Sequence, residues 1–151
     1  MTTEIKVLGR GDGKVLARVA PGVFDRGVNE HWSAEVLVDP RHHLAVAIDE
    51  GLAVGFASAV HYINPDKPPE LWINEIGVAP THRNRGLGKE LLRAVLAVGR
   101  ELGCSEAWVL TDRSNAPAMR LYASVGGTEV PKDQVMFAFR LDPGNVPRNP
   151  R

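Results

Sequence analysis

The chain holds one cysteine, Cys104, in 151 residues. A lone thiol cannot close an intrachain disulfide, so a small stapled scaffold is excluded and a reducing compartment fits. Nothing around Cys104 has the spacing of a metal site, and His42-His43 has no partner at ligand spacing, so no metal is expected. Neither sign of charge is in excess: Lys+Arg and Asp+Glu both number 18, which removes the basic surplus of a nucleic-acid surface. No apolar run approaches the roughly 20 residues of a membrane span. A basic-then-apolar leader is missing at the start. These absences lead us to expect a soluble cytoplasmic protein with neither nucleic acid nor membrane as partner. The length suits a single domain, expected over residues 1–142. Beyond it, residues 143–151 are Pro, Gly, Asn, Arg and Val with little to bury, and read as a flexible tail.

What is present alternates between two periods. Residues 5–8 read as a first strand. Asp12 can cap a helix over residues 13–20, which Pro21-Gly22 stops. Asn29 can cap a second helix to about Val38, ended by Asp39-Pro40. Residues 43–48 and 52–62 form a hairpin about Glu50-Gly51. After a Pro-rich loop, residues 70–78 form a further strand. From Gly86 a helix sets Leu87, Leu91, Val95, Val98 and Leu102 on one stripe, and Gly103 ends it. Residues 107–111 read as a strand. Residues 115–125 read as a helix capped by Asn115, with Pro117 tolerated in its first turn. Residues 135–141 alternate and read as a last strand. The pattern predicts an α+β fold with a mixed central sheet, N-terminal antiparallel strands followed by β-α-β-α-β, and helices on both faces.

The most informative stretch is Arg83-Asn84-Arg85-Gly86-Leu87-Gly88-Lys89, between an apolar strand and an amphipathic helix. Glycines let a backbone approach an anion, and the first N–H groups of a helix have no partner within it. Arg83, Arg85 and Lys89 add positive charge at the same point. A P-loop is excluded because Glu90 follows Gly88-Lys89 and the upstream glycine is missing. A dinucleotide fingerprint is excluded because Leu91 stands where its third glycine belongs.

The remaining pattern, Val78-Ala79-Pro80-Thr81-His82-Arg83-Asn84-Arg85-Gly86-Leu87-Gly88, resembles the acyl-coenzyme A signature of the GCN5-related N-acetyltransferases. Residues 115–127, with Asn115, Tyr122 and the closing Gly126-Gly127, resemble that family's second motif. The resemblance covers about residues 43–141 and implies acetyl-CoA as co-substrate. It places the pyrophosphate on Arg85, Gly86, Leu87, Gly88 and Lys89, with Arg83 lining the site. It places the pantetheine arm along Ile76 and Val78, with Asn115 in reach, and makes the Val78 N–H an oxyanion donor. It also implies that Tyr122 protonates the leaving thiolate.

The attacking amine must lose a proton, and Glu75, a carboxylate in an otherwise apolar strand, is the candidate base. Asp112 and Asn74 are candidate substrate-binding residues, and His31 and Trp32 could line the acceptor pocket. Residues 135–141 are similar to the ending of the aminoglycoside 3-N-acetyltransferases of this fold. The expected activity is acetyl transfer to a primary amine of a small cationic molecule, best an aminoglycoside. A polycationic acceptor would draw on Glu75, Asp112, Glu129, Asp133 and Glu35. A peptide or protein N-acetyltransferase and a non-catalytic acyl-CoA sensor are the alternatives. Apolar surface on the last strands and on Trp108 is what a homodimer would cover.

Overall fold

A computed structural model describes residues 3–131 and 133–142, which divide into two units, one through Leu110 and one from Thr111. The expected tail, residues 143–151, lies outside the described residues. In the first unit the order is β1 (Glu4–Val7), a 3-10 turn (Gly13–Ala17), α1 (Glu30–Val38), β2 (His42–Asp49), β3 (Leu52–Tyr62) and β4 (Glu70–Val78). A second 3-10 turn (Pro80–His82), α2 (Leu87–Glu101) and β5 (Ala107–Val109) follow. The second unit holds α3 (Ala116–Ser124).

The five strands form one sheet in sequence order, antiparallel from β1 to β4, with β5 added parallel to β4. This is the mixed α+β sheet that the strand pattern predicts. Glu50 and Gly51 turn β2 into β3 with φ of 50° and 77°, a left-handed pair suited to the right-handed twist of a tight hairpin. Consecutive residues of β2 (Leu44, Ala45, Val46, Ala47) are all buried, and so are Ala53, Val54, Phe56 and Ala57 of β3. Successive strand residues point to opposite faces, so both faces of this sheet are covered. On one face, α2 buries Leu87, Leu91, Leu92 and Val95, and Leu91 lies against Gly55. On the other, Phe24 stacks on Phe56 with ring centroids 4.1 Å apart.

Three expectations are corrected. The helix over residues 13–20 is a 3-10 turn that ends at Ala17. Residues 18–20 are instead drawn onto β3: Ala53 N–H donates to Arg18 O, and Ala20 N–H donates to Ala53 O. Asp12 caps no helix, because its carboxylate accepts from Gly9 N–H and Lys6 Nζ. The strand over residues 107–111 stops at Val109. Residues 135–141 form no strand, and Val135, Met136, Phe137, Phe139 and Leu141 are all exposed. Alternation is necessary for a half-buried strand but supplies no partner for its N–H and C=O groups, and an unpaired strand is not independently stable.

Candidate active site

The register of β4 builds the site. β5 pairs with β4 at Leu71, Trp72 and Ile73, and β4 runs on to Val78. Leu71 N–H donates to Glu106 O on the β5 side, and Ala79 N–H donates to Val54 O on the β3 side. Counting back from Ala79, the N–H and C=O groups of Val78 and Ile76 point away from β3, along an edge that β5 no longer pairs. An extended amide chain can add to such an edge as a strand does. The Val78 carbonyl accepts from Arg83 Nε at 3.1 Å.

A bulge decides where Glu75 lies. Ile73 pairs with Ala59 and Glu75 with Ser58, so Asn74 is an extra, exposed residue on β4. In an unbroken strand Glu75 would share the face of Leu71 and Ile73, the buried face under α2. After the bulge, Val78 packs beside Gly55 on the α2 face, while Gly77 lies against Phe56 and the Val23 carbonyl on the opposite face. Glu75, two residues from Gly77, takes that opposite face and is half-buried. A half-buried carboxylate beside an open strand edge has the position of a general base.

The Gly-rich turn follows directly. Asn84 and Gly86 have φ of 62° and 80°, conformations that Asn and Gly tolerate best. Gly86 is the N-cap of α2 and uses no side chain; the first helical bond runs from Glu90 N–H to Gly86 O at 3.2 Å. The N–H groups of Leu87, Gly88 and Lys89 therefore have no carbonyl one turn earlier, which leaves a concentrated positive end. Arg83 and Arg85 are exposed beside it.

The same unit carries a cleft of about 860 Å³ between the first 3-10 turn, residues 19–28 and α1. Phe24, Asp25, Arg26, Glu30, Ser33 and Leu37 are among its lining residues. Helix α1 thus presents Glu30, Ser33, Ala34 and Leu37, spaced as one helical face. His31 and Trp32 fall outside that face, and Trp32 is largely exposed, in keeping with surface packing.

The second unit carries Asp112, Asn115 and Tyr122. Asn115 Oδ1 accepts from Ala118 N–H at 3.2 Å, which makes it the N-cap of α3, with Pro117 in the first turn. Tyr122 is half-buried, and burial pushes its phenol above the ordinary tyrosine value. Asp112 is exposed, and its carbonyl accepts from Asn115 N–H in the turn before α3. Arg113 pairs with Glu129 at 2.8 Å. The first unit thus holds Asn74, Glu75, Ile76, Val78 and residues 83–89, with His31, Trp32 and Glu35 on α1, and the second holds Asp112, Asn115, Tyr122, Glu129 and Asp133.

A family model described as the acetyltransferase (GNAT) family matches residues 15–126, across the division between the units. The chain belongs to the GNAT acetyltransferases. Streptothricin acetyltransferase of Streptomyces lavendulae is 40% identical over 88 residues, 58% of this chain and 44% of that protein. An aminoglycoside N(6′)-acetyltransferase type 1 of Salmonella typhimurium is 34% identical over 101 residues, 63% of this chain and 68% of its own length. The match thus spans under half of the first relative and about two thirds of the second.

Among solved structures, an aminoglycoside acetyltransferase from an uncultured soil metagenomic sample, in complex with sisomicin, superposes with a TM-score of 0.77. It is 19% identical, with 93% of this chain and 97% of that one covered. Aminoglycoside N-acetyltransferase AAC(6′)-Iy, in complex with a CoA-linked bisubstrate analogue, gives 0.72 at 24% identity, covering 94% and 100%. These likenesses show the acetyltransferase fold. Sequence reasoning missed three features of this chain: the bulge at Asn74, the face that α1 turns to the cleft, and a hydrogen-bonded contact between Asp49 and His82.

Proposed function

We propose that the chain transfers an acetyl group from acetyl-CoA to a primary amine of a small cationic molecule, best an aminoglycoside. The observation that carries this is the open β4 edge leading straight into a Gly-rich helix N-terminus. The edge suits a pantetheine amide chain at Ile76 and Val78, and residues 85–89 suit a pyrophosphate, with Arg83 beside them. Bound there, acetyl-CoA supplies an activated acetyl thioester.

The chain's own residues then divide the work. Glu75 takes the proton of the attacking amine, directly or through a water. The Val78 N–H donates to the acetyl carbonyl oxygen as negative charge grows on it. Tyr122 gives its hydroxyl proton to the departing sulfur; burial keeps that phenol protonated, which suits an acid. Asn115, which caps α3, is assigned to the pantetheine arm by its place in the second motif. Asn74 and Asp112 bind the acceptor.

Support for a cationic acceptor comes from the relatives named for streptothricin and aminoglycosides and from the carboxylates Asp25 and Glu30, which outnumber Arg26 in the α1 cleft. The donor and these antibiotics would meet in the cytoplasm. The test is CoA release against a panel of aminoglycosides, polyamines and peptides, with mass spectrometry of the product to locate the acetylated amine. Release with aminoglycosides is expected. Release with peptides alone would replace this acceptor by a protein terminus. Tight acetyl-CoA binding with no release for any amine would make the chain an acyl-CoA sensor.

A further inference from the structure

We propose that Asp49 and His82 form a positioning clamp that fixes the start of the Gly-rich turn, and with it the affinity for the acyl donor. This rests on the donor reading above. Asp49 ends β2 at the hairpin tip, and His82 ends the second 3-10 turn, one residue before Arg83. His82 Nε2 lies 2.7 Å from Asp49 Oδ2, and both side chains are mostly covered, at 14% and 16% exposure. A carboxylate can only accept, so Nε2 carries the hydrogen. The second ring nitrogen, Nδ1, lies 2.8 Å from Thr81 Oγ1, so both imidazole nitrogens are engaged and the ring cannot swing. The His82 N–H also donates to Ala79 O, and Ala79 N–H donates to Val54 O on β3.

The far end of the turn is held differently, by Leu87 and Leu91 buried under the sheet. Between the two anchors, residues 83–86 include two left-handed residues, Asn84 and Gly86. A segment of that shape cannot hold itself with regular hydrogen bonds. Its path is set by its ends and by the bond from Arg83 Nε to the Val78 carbonyl, and the clamp is the polar, directional tie just before Arg83. Anion recognition by backbone N–H groups depends on where those groups point, so a shift at His82 is felt at residues 85–88.

The test is calorimetric titration of CoA into the full chain, with steady-state kinetics beside it. Asp49→Ala is expected to weaken CoA about tenfold, the order of one charge-assisted hydrogen bond. The KM for acetyl-CoA should rise while kcat at saturation holds. Asp49→Asn keeps an acceptor for Nε2 and should recover most of the affinity. Asp12→Ala removes a comparable pair, with Lys6 and Gly9, and serves as the control: lower Tm, unchanged CoA affinity. Hydrogen exchange without CoA should show faster exchange of amides 84–89 in Asp49→Ala. A lower Tm in Asp49→Ala with wild-type CoA affinity, or with unchanged exchange at residues 84–89, would make the pair a structural staple and overturn the proposal. A wild-type chain that binds no CoA would overturn the donor reading and the clamp with it.

Discussion

Gly86 and Gly88 illustrate how much of the proposed donor site rests on single atoms that are missing. At Gly86 the φ of 80° makes any side chain strained, by roughly 1–2 kcal/mol for an ordinary residue. At Gly88, in the first turn of α2, a bulky side chain would hold a phosphate off the backbone N–H groups. Gly88→Val is expected to abolish CoA binding while far-UV circular dichroism stays native; unchanged affinity would put the anion elsewhere. Tyr122 is the second test at this scale. Tyr122→Phe should lower kcat about a hundredfold, the usual range for a lost general acid, with CoA affinity unchanged. Because burial raises the phenol, the wild-type alkaline limb should lie above the ordinary tyrosine range, and the variant should lack it. Equal turnover in the variant would remove Tyr122 from the acid role. Both motifs were legible because they are local: glycines at a helix entry and a residue two turns into a capped helix.

At the scale of elements, β4 matters most, and its decisive feature was not legible. Deleting Asn74 should leave every later side chain on its present face while removing the bend at the residue after β5 stops pairing. The expected outcome is a raised KM for acetyl-CoA with little change in Tm. An unchanged KM would separate the bulge from donor binding. The β2–β3 ladder carries a pH-dependent element. His43 Nε2 lies 2.8 Å from His61 Nδ1, with the rings stacked. Burial first, then the charges of His61 and His42, hold the His43 imidazole below the ordinary histidine range, opposed by Asp39. The unfolded chain then binds the proton more readily, so stability rises with pH through that range and is lost as pH falls. Tm should fall less between about pH 8 and pH 5 in His43→Gln than in wild type; equal falls would acquit His43.

For the molecule as a whole, the two faces of the sheet do different work. One carries α2, and the other carries the segment through Val23 and Phe24 that leads into the α1 cleft. Gly77 is where this segment touches β4. A Cβ there would collide with the Val23 carbonyl and meet the Phe56 ring at 2.8 Å. Gly77→Ala should cost about 1–3 kcal/mol by overpacking, read as a lower Tm, and raise the KM for the amine more than that for acetyl-CoA. Equal effects on both would mean that the segment does not shape the acceptor side. No helix among the described residues is long and apolar enough to cross a membrane.

The sequence alone determined whatever depends on near neighbours along the chain. The hairpin at Glu50-Gly51, the caps at Asn29 and Asn115, the buried stripe of α2 from Leu87 to Val95 and the Gly-rich turn each follow from a few adjacent residues and their conformational preferences. Pairing between distant segments decided the rest. The helix expected after Asp12 gave way to a bridge to Ala53, residues 135–141 alternate without a strand partner, and Asp49 meets His82 across 33 positions. Glu75 is the sharpest case. Its residue type marked it as a base, but its face depends on one extra residue against β3, and a period of two along β4 would have put it under α2.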